Sequence, residues 1–401
     1  MSVRKRKWIT NGVEREAWVC TYTDATGKRR LKTFSKKKDA DAFEASAKVE
    51  VAKGEHVPDS ASTTIKEAGK LWITARERAG RERTTIEQYQ QHLDLHITPR
   101  IGNLKLTGLT VPALREFEDW LLDSGRSPAM VRKVLVSLGS LLADAQERGL
   151  VSRNVVHDMR GRRGTSDRRA EKRAKGRLRV GVDIPSPDEV RTILPHLAGR
   201  WRPLLLTAIF TGLRASELRG LTWSNVDLGK KVLHVTQRAD RFKKIGKPKS
   251  EAGERSVPIP PIVANALKEW KLACPKGELG LVFPNTKGGI EAHAQMVHAG
   301  LEPVQVRAGI TVDSGKVDEK GAPILIAKYR GMHALRHFYA SWCINRRADG
   351  GLELPAKVVQ ERLGHSSIVI TMDTYGHLFP TDDDGAEMAA AERALLGLSA
   401  T

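Results

Sequence analysis

Apolar positions recur along this chain with two different periods. The clearest is helical: Met130, Val131, Val134, Leu135, Leu138, Leu141, Leu142 and Ala145 return every three or four residues. This predicts a helix over 127–148, terminated by Gly149. The same period predicts helices over 67–79, 84–96 and 111–122, so 64–150 reads as an all-helical unit whose apolar stripes form its core. Upstream the pattern becomes strand-like. Residues 17–22 mix aromatic and β-branched side chains, Asp24-Ala-Thr-Gly27 is a turn, and 29–34 return as the second arm of a hairpin. A helix over 37–53, stopped by Gly54, completes a small unit within 1–55. A short polar linker over 56–63 follows. Residues 160–182 are almost without large apolar side chains and read as a second linker. The longest unit, 183–380, reads as mainly helical, with strands over 231–236 and 255–259. An Ala-rich helix is expected over 385–398, within the tail 381–401. The fold class is therefore multidomain and mainly α: a β-hairpin-plus-helix N-terminal domain, a four-helix domain and a mixed α+β C-terminal domain.

Composition narrows the function. With 40% hydrophobic and 28% charged residues in 401, the chain can bury several cores. No run approaches the ~18 apolar residues of a membrane span, and Met1-Ser-Val-Arg-Lys-Arg-Lys-Trp8 lacks a secretory apolar segment. No membrane association and a cytoplasmic, nucleoid-associated location in a bacterial host are expected. Cys20, Cys274 and Cys343 are far apart, which argues against a disulfide framework or a cysteine zinc site. The net charge of +20 points to a polyanionic partner. The excess is clustered. Residues 1–38 hold twelve Lys and Arg against Glu14, Glu16 and Asp24. Residues 160–179 hold ten against Asp167 and Glu171. A third cluster, Arg238, Arg241, Lys243, Lys244, Lys247 and Lys249, is opposed by Asp240. Such clusters repel themselves unless an anion joins them. Asp382, Asp383 and Asp384 read as part of an acidic tail rather than a metal triad.

Several reaction classes lack their motifs. There is no phosphate-binding G-x-x-x-x-G-K-[ST] and no G-x-S-x-G elbow. His333 and His337 have the spacing of a zinc-binding helix, but Ala334 occupies the position of the base in H-E-x-x-H. The C-terminal unit instead carries Thr211-Gly-Leu-Arg-Ala-Ser-Glu-Leu218, Lys249 and Arg255-Ser-Val-Pro-Ile259, His333-Ala-Leu-Arg-His337, Leu363-Gly-His-Ser366 and Asp373-Thr-Tyr-Gly-His377. Phosphodiester exchange needs a nucleophile, a proton donor for the leaving oxygen and cations around the pentavalent phosphorus. Two arginines suit that last task because a guanidinium forks onto two phosphate oxygens. A free tyrosine is only about 0.1% phenolate at pH 7, so its surroundings must activate it.

In this order and spacing the motifs resemble the tyrosine recombinases, or phage-type integrases, strongly over 183–380 and by helical pattern over 64–150. Residues 1–55 resemble the arm-binding domain of the longer phage integrases. The resemblance implies a site-specific recombinase that integrates, and also excises, a phage or mobile element, with no metal, other cofactor or ATP. It implies that Tyr375 attacks the scissile phosphate to form a 3′-phosphotyrosyl link. Arg214 and Arg336 would stabilise the transition state, Lys249 would protonate the 5′ oxygen, and His333 and His365 would assist. Glu217 would orient the site. Arg162, Arg163, Arg168, Arg169, Lys172 and Arg173 of the linker, with Lys243 and Lys244, would contact phosphates. Partners implied are double-stranded DNA at core and arm attachment sites, further copies of the chain in a tetramer on DNA, a host DNA-bending protein and a directionality factor. Tyr339, His337 and His377 read as structural or site-adjacent. Ala334 departs from the acidic residue frequent at its place in the family. A dimer resolvase of the same chemistry and a non-catalytic DNA-binding protein are the alternative readings.

Overall fold

The chain separates into two units, Met1–Ala174 and Lys175–Thr401, in the computed structural model. It describes residues 1–10, 13–24, 27–54, 56–59, 62–161 and 176–380, with 388–389, 392–393 and 395–397 near the C-terminus. In the first unit the expected hairpin is present as strands Val13–Thr23 and Arg29–Phe34, but it is two-thirds of a sheet. Strand Ser2–Thr10 adds an antiparallel partner along Val13–Thr23, pairing Ser2 with Thr21 and Trp8 with Arg15. Its alternating basic side chains give no apolar face, so period alone does not reveal it. Buried Asp24 closes the turn by accepting hydrogen bonds from Lys28 N at 3.0 Å and Arg30 Nε at 2.8 Å. Helix Lys37–Ala52 lies on the sheet and buries Ala40 and Ala47. Its Phe43 meets Tyr22 edge-on at 5.5 Å.

The helical part of this unit matches the expected periodicity closely. Helix Ile65–Arg78 begins with a reciprocal cap between Thr64 and Glu67. Helix Pro128–Glu147 begins with Ser127 accepting from Met130 N, with Pro128 preset for the first turn. Trp72, Leu114, Phe117, Leu121, Leu138 and Leu141 interlock in its core. The expected 84–96 helix is shorter. The α-helix runs Arg83–His92, a wider π turn follows over Leu93–Ile97, and Thr98–Ile101 resumes α geometry. At the junction buried His92 Nδ1 lies 2.8 Å from Ser137 Oγ, a polar pair that periodicity cannot foresee. One further helix, Val155–Gly161, extends past the expected boundary at 150.

In the second unit helices Trp201–Thr211 and His333–Ile344 pack together at the centre of the core, through Leu205, Ile209, Leu335, Phe338 and Ile344 among others. Helix Pro261–Ala273 packs on the first of these. The two expected strands appear as Val232–Val235 and Arg255–Pro258, with Val226–Asp227 on the other side of Val232–Val235. Two hairpins were not foreseen: Arg238–Ala239 with Ile245–Gly246, and Thr311–Val317 with Pro323–Ala327. The first has two residues in each strand, too few to show a period, and the second is largely exposed, so neither carries the alternating pattern of a half-buried strand. The expected phosphate contacts Arg162, Arg163, Arg168, Arg169, Lys172 and Arg173, and the acidic residues Asp382 to Asp384, lie outside the described residues. No helix among the described residues is long and apolar enough to cross a membrane.

Helix Trp201–Thr211 ends at Gly212, whose backbone is left-handed at φ 59°. A Cβ there would stand 2.4 Å from Cδ1 of buried Tyr339. This pairing accounts for Tyr339 as a packing residue. Gly212→Ala combines left-handed strain with overpacking, and is expected to destabilise the second unit by about 2–4 kcal/mol. Urea unfolding followed by tryptophan fluorescence checks this; an unchanged midpoint would contradict it.

Candidate active site

Gly212 reverses the chain so that Arg214 sits at the N-cap of the short helix Ala215–Gly220. One turn on, Glu217 faces back. Its Oε2 accepts from Arg214 N at 2.8 Å and its Oε1 from Arg214 Nη1 at 2.8 Å. Arg255, the first residue of its strand, reaches the same carboxylate with Nη2 to Oε2 at 2.9 Å and Nη1 to Oε1 at 3.1 Å. Glu217 is only 3% exposed. Burial alone would raise its pKa, but the hydrogen bonds and charge of Arg255, with the charge of Arg214, hold the carboxyl below its ordinary range.

A second anchor is the end of helix Ala356–Leu363. The last carbonyls of a helix have no partner within it. Here Arg362 O accepts from Arg255 Nε at 2.7 Å, Leu363 O from Arg336 Nη2 at 2.5 Å, and Gly364 O from Arg214 Nη2 at 3.1 Å. Three consecutive carbonyls thus hold three guanidiniums, at the negative end of the helix dipole. Gly364 turns the chain at φ 63°, where a Cβ would come within 2.8 Å of Ala252 O and Arg255 Nη1. Arg336 is 2% exposed and also donates Nη1 to Gly212 O at 2.8 Å. Burial, then the nearby charge of Arg214, pushes its pKa down to about 9, partly offset by Glu217. It remains a cation at neutral pH.

The aromatic groups gather beside this cluster. Tyr375 closes helix Ile368–Tyr375 and is 1% exposed. Its hydroxyl lies 2.7 Å from His337 Nδ1. The ring of His365 runs parallel to that of Tyr375 at 6.3 Å, while His365 Nδ1 lies 2.9 Å from buried Thr371 Oγ1. His333, exposed on the first turn of its helix, meets His337 edge-on at 4.5 Å. Burial raises the Tyr375 phenol to about 12 despite the opposing charges of Arg336 and Arg214. Burial and neighbouring cations push both His365 and His337 down to about 4. His333 is lowered for the same reasons, desolvation first and then Arg336 and Arg214. All three imidazoles are therefore neutral at pH 7.

The fold brings Arg214, Glu217, Arg336, His333, His365 and Tyr375 together. Lys249 stands exposed on the loop leading to Arg255. Lys243 and Lys244 lie at the exposed tip of the short hairpin around Asp240, whose Oδ1 accepts from Lys244 N at 2.9 Å. His377 is a structural residue, its Nε2 lying 2.7 Å from Leu178 O. Two side chains of the cluster are not among the residues that the sequence marks as catalytic: Arg255, and His337, which reads there as structural or site-adjacent. Arg255 stood inside a motif, and His337 follows Arg336 directly; nothing in either spacing distinguishes a site residue from a packing one. No described His, Cys, Asp and Glu residues group as three or more in a metal-binding arrangement. The guanidiniums around the imidazoles would also repel a cation and attract an anion.

Residues 186–381 match the phage integrase family. A tyrosine recombinase XerC-like protein of Caldanaerobacter subterraneus is 26% identical over 96% of this chain and 97% of its own length. The prophage integrase IntR of Escherichia coli is 26% identical over 63% of this chain and 58% of its own. Among solved structures, the Tn1549 transposon integrase in complex with a circular intermediate DNA superposes with a TM-score of 0.62 at 19% identity, over 83% of this chain and 100% of that one. A lambda integrase dimer bound to a core site gives 0.55 at 16% identity, over 94% and 97%. With its motifs gathered into one cationic cluster around a buried tyrosine, residues 186–381 form a domain of the phage integrase, or tyrosine recombinase, family.

Proposed function

We propose that this protein is a site-specific DNA recombinase of the integrase type, which inserts and excises a phage or other mobile element through a 3′-phosphotyrosyl intermediate. The observation that carries the reading is Tyr375 beside Arg336, whose protein partners are backbone carbonyls, and Arg214, which shares the carboxylate of Glu217 with Arg255. Such carbonyls fix the guanidiniums but do not neutralise them. A phosphodiester supplies the missing negative charge.

In the proposed reaction Tyr375 Oη attacks phosphorus, and Arg214 and Arg336 hold the non-bridging oxygens as charge builds on them. His365, stacked on the tyrosine ring, and His333, at the exposed rim, donate further hydrogen bonds to that phosphate. Lys249, on its exposed loop, swings to the leaving 5′ oxygen and protonates it. Glu217 does not touch the phosphate: it sets Arg214 and is itself set by Arg255. The covalent link conserves the bond energy, so the 5′-hydroxyl of a second strand reverses it.

The remaining regions are assigned by charge and order. The sheet-and-helix domain 1–55 reads arm sites; the helical domain 64–150 and the catalytic domain 183–380 bind the core site. The basic linker 160–182, Lys243 and Lys244 contact phosphates, which position the enzyme without specifying sequence. A lambda integrase tetramer bound to a Holliday junction, similar in fold at a TM-score of 0.52, supports assembly as a tetramer on DNA. A host bending protein and a directionality factor complete the proposed assembly, in the cytoplasm of a bacterial host.

Three outcomes test this reading. With nicked duplex carrying the attachment site, wild type should yield a protein–DNA band on a denaturing gel, and Tyr375→Phe none while still shifting the duplex on a native gel. A persistent covalent band in the variant would name another nucleophile. Glu217→Gln leaves two guanidiniums beside a neutral amide. It is expected to cost about 3–5 kcal/mol in stability, the scale for a broken buried pair, and roughly 10–100-fold in single-turnover cleavage, comparable to loss of part of an oxyanion clamp. Equal rates and melting temperatures would refute that role. Removal of residues 1–55 should leave core-site cleavage intact and abolish integration between full attachment sites; undiminished integration would exclude the arm-binding assignment.

A further inference from the structure

A phenol held at about 12 is a poor nucleophile at neutral pH, with on the order of one molecule in 10⁵ ionised. The proton has to leave as the attack proceeds, and the structure shows one acceptor in place. His337 Nδ1 lies 2.7 Å from Tyr375 Oη, within direct transfer distance. Neither neighbouring imidazole has this position. His365 is engaged through Nδ1 with Thr371, and its plane is within 7° of the tyrosine ring, so it faces the π surface. His333 meets the His337 ring and not the hydroxyl.

We propose that His337 is the base that takes the phenolic proton of Tyr375 during strand cleavage, an inference that rests on reading Tyr375 as the nucleophile. The Oη–P bond forms and the P–O5′ bond breaks. The phenolic proton passes to His337 Nδ1, and the departing 5′ oxygen takes a proton from Lys249. In rejoining, the incoming 5′-hydroxyl attacks phosphorus, its proton passes to Lys249, and His337 returns its own proton to Tyr375 Oη.

The surroundings of His337 fit this task. On its own helix it faces His333 and Arg336; from other segments it faces Tyr375 and Asp183. Without DNA, burial and then His333 and Arg336 keep the ring neutral, with only Asp183 opposing them. A neutral ring that keeps its one proton on Nε2 presents a bare Nδ1 to the hydroxyl 2.7 Å away, and it is this tautomer that accepts the phenol's proton. A phosphate bound on Arg336 and Arg214 offsets their field, so the ring becomes more basic as substrate arrives. The negative pentavalent phosphorus then stabilises the imidazolium formed beside it. The same contact explains how Tyr375 stays buried and oriented before DNA binds.

The experiment uses full-length protein and nicked attachment-site duplex in two forms, with an ordinary scissile phosphate or with sulfur replacing the bridging 5′ oxygen. A thiolate leaves without a proton donor, so sulfur separates loss of the acid from loss of the base. Single-turnover formation of the covalent complex is measured from pH 6 to 9 for wild type, His337→Asn, His337→Gln and Lys249→Ala. The His337 variants are expected to fall roughly 10²–10³-fold at pH 7. They should regain about tenfold per pH unit as hydroxide replaces the lost base, while wild type stays nearly flat. Sulfur should rescue Lys249→Ala and neither His337 variant. His337 variants within threefold of wild type, or rescued by sulfur, would overturn the proposal. If both lose binding to the duplex, the contact is structural and the proposal is likewise overturned. A wild type that forms no Tyr375-dependent complex would instead overturn the recombinase reading itself.

Discussion

The site is built on the three carbonyls of Arg362, Leu363 and Gly364, each bound by a different guanidinium. Arginines from three distant stretches would separate by mutual repulsion if left to themselves. A helix C-terminus offers what they need without cancelling their charge: unpaired acceptors and the negative end of a dipole. One further carboxylate, Glu217, binds two of the three arginines and is shared between them. Arg336 has none and takes Gly212 O instead. The protein therefore folds around a cationic cluster that is held in place but under-neutralised. That is the electrostatic condition for binding a phosphodiester and favouring its more negative transition state.

The same constraint sets the glycines and the burial around the site. Gly212 must turn left-handed and leave room for Tyr339, because its carbonyl has to face Arg336. Gly364 must do so beside Arg255, because its own carbonyl has to face Arg214. Replacing either glycine would displace an acceptor along with the backbone. The burial that sharpens these contacts also raises the tyrosine phenol and strips the imidazoles of protons. An under-neutralised cationic cluster and a reluctant phenol are consequences of the same burial.

Much of this was legible in the sequence, for reasons particular residues make plain. The stripe from Met130 to Ala145 dictated its helix because apolar period and capping by Ser127 agree. The motif set marked Arg214, His333, Arg336, His365 and Tyr375 because their residue types are rare in that order. Strand Ser2–Thr10 was hidden because neither face is apolar, and the polar pair of His92 with Ser137 beside the π turn because it joins residues 45 apart. The roles of Arg255 and His337 were hidden for another reason. Each acts through a contact between residues 38 apart, and sequence order carries no record of which side chains meet.

Charge balance connects the site to the rest of the chain. A net +20 on 401 residues opposes compaction unless anions are near. Within the second unit some described cations are fixed on carbonyls and carboxylates, as at Arg255, and others are exposed on a hairpin tip, as at Lys243 and Lys244. The fixed ones act on a phosphate only at short range, where its geometry is tested. The exposed ones act at the range of a Debye length, about 8–10 Å at physiological salt, where only its charge is felt. Raising the salt should therefore weaken encounter with DNA much more than the chemistry of a phosphate already seated. In the proposed reaction the exposed cations serve to find a backbone and the fixed ones to hold it for cutting.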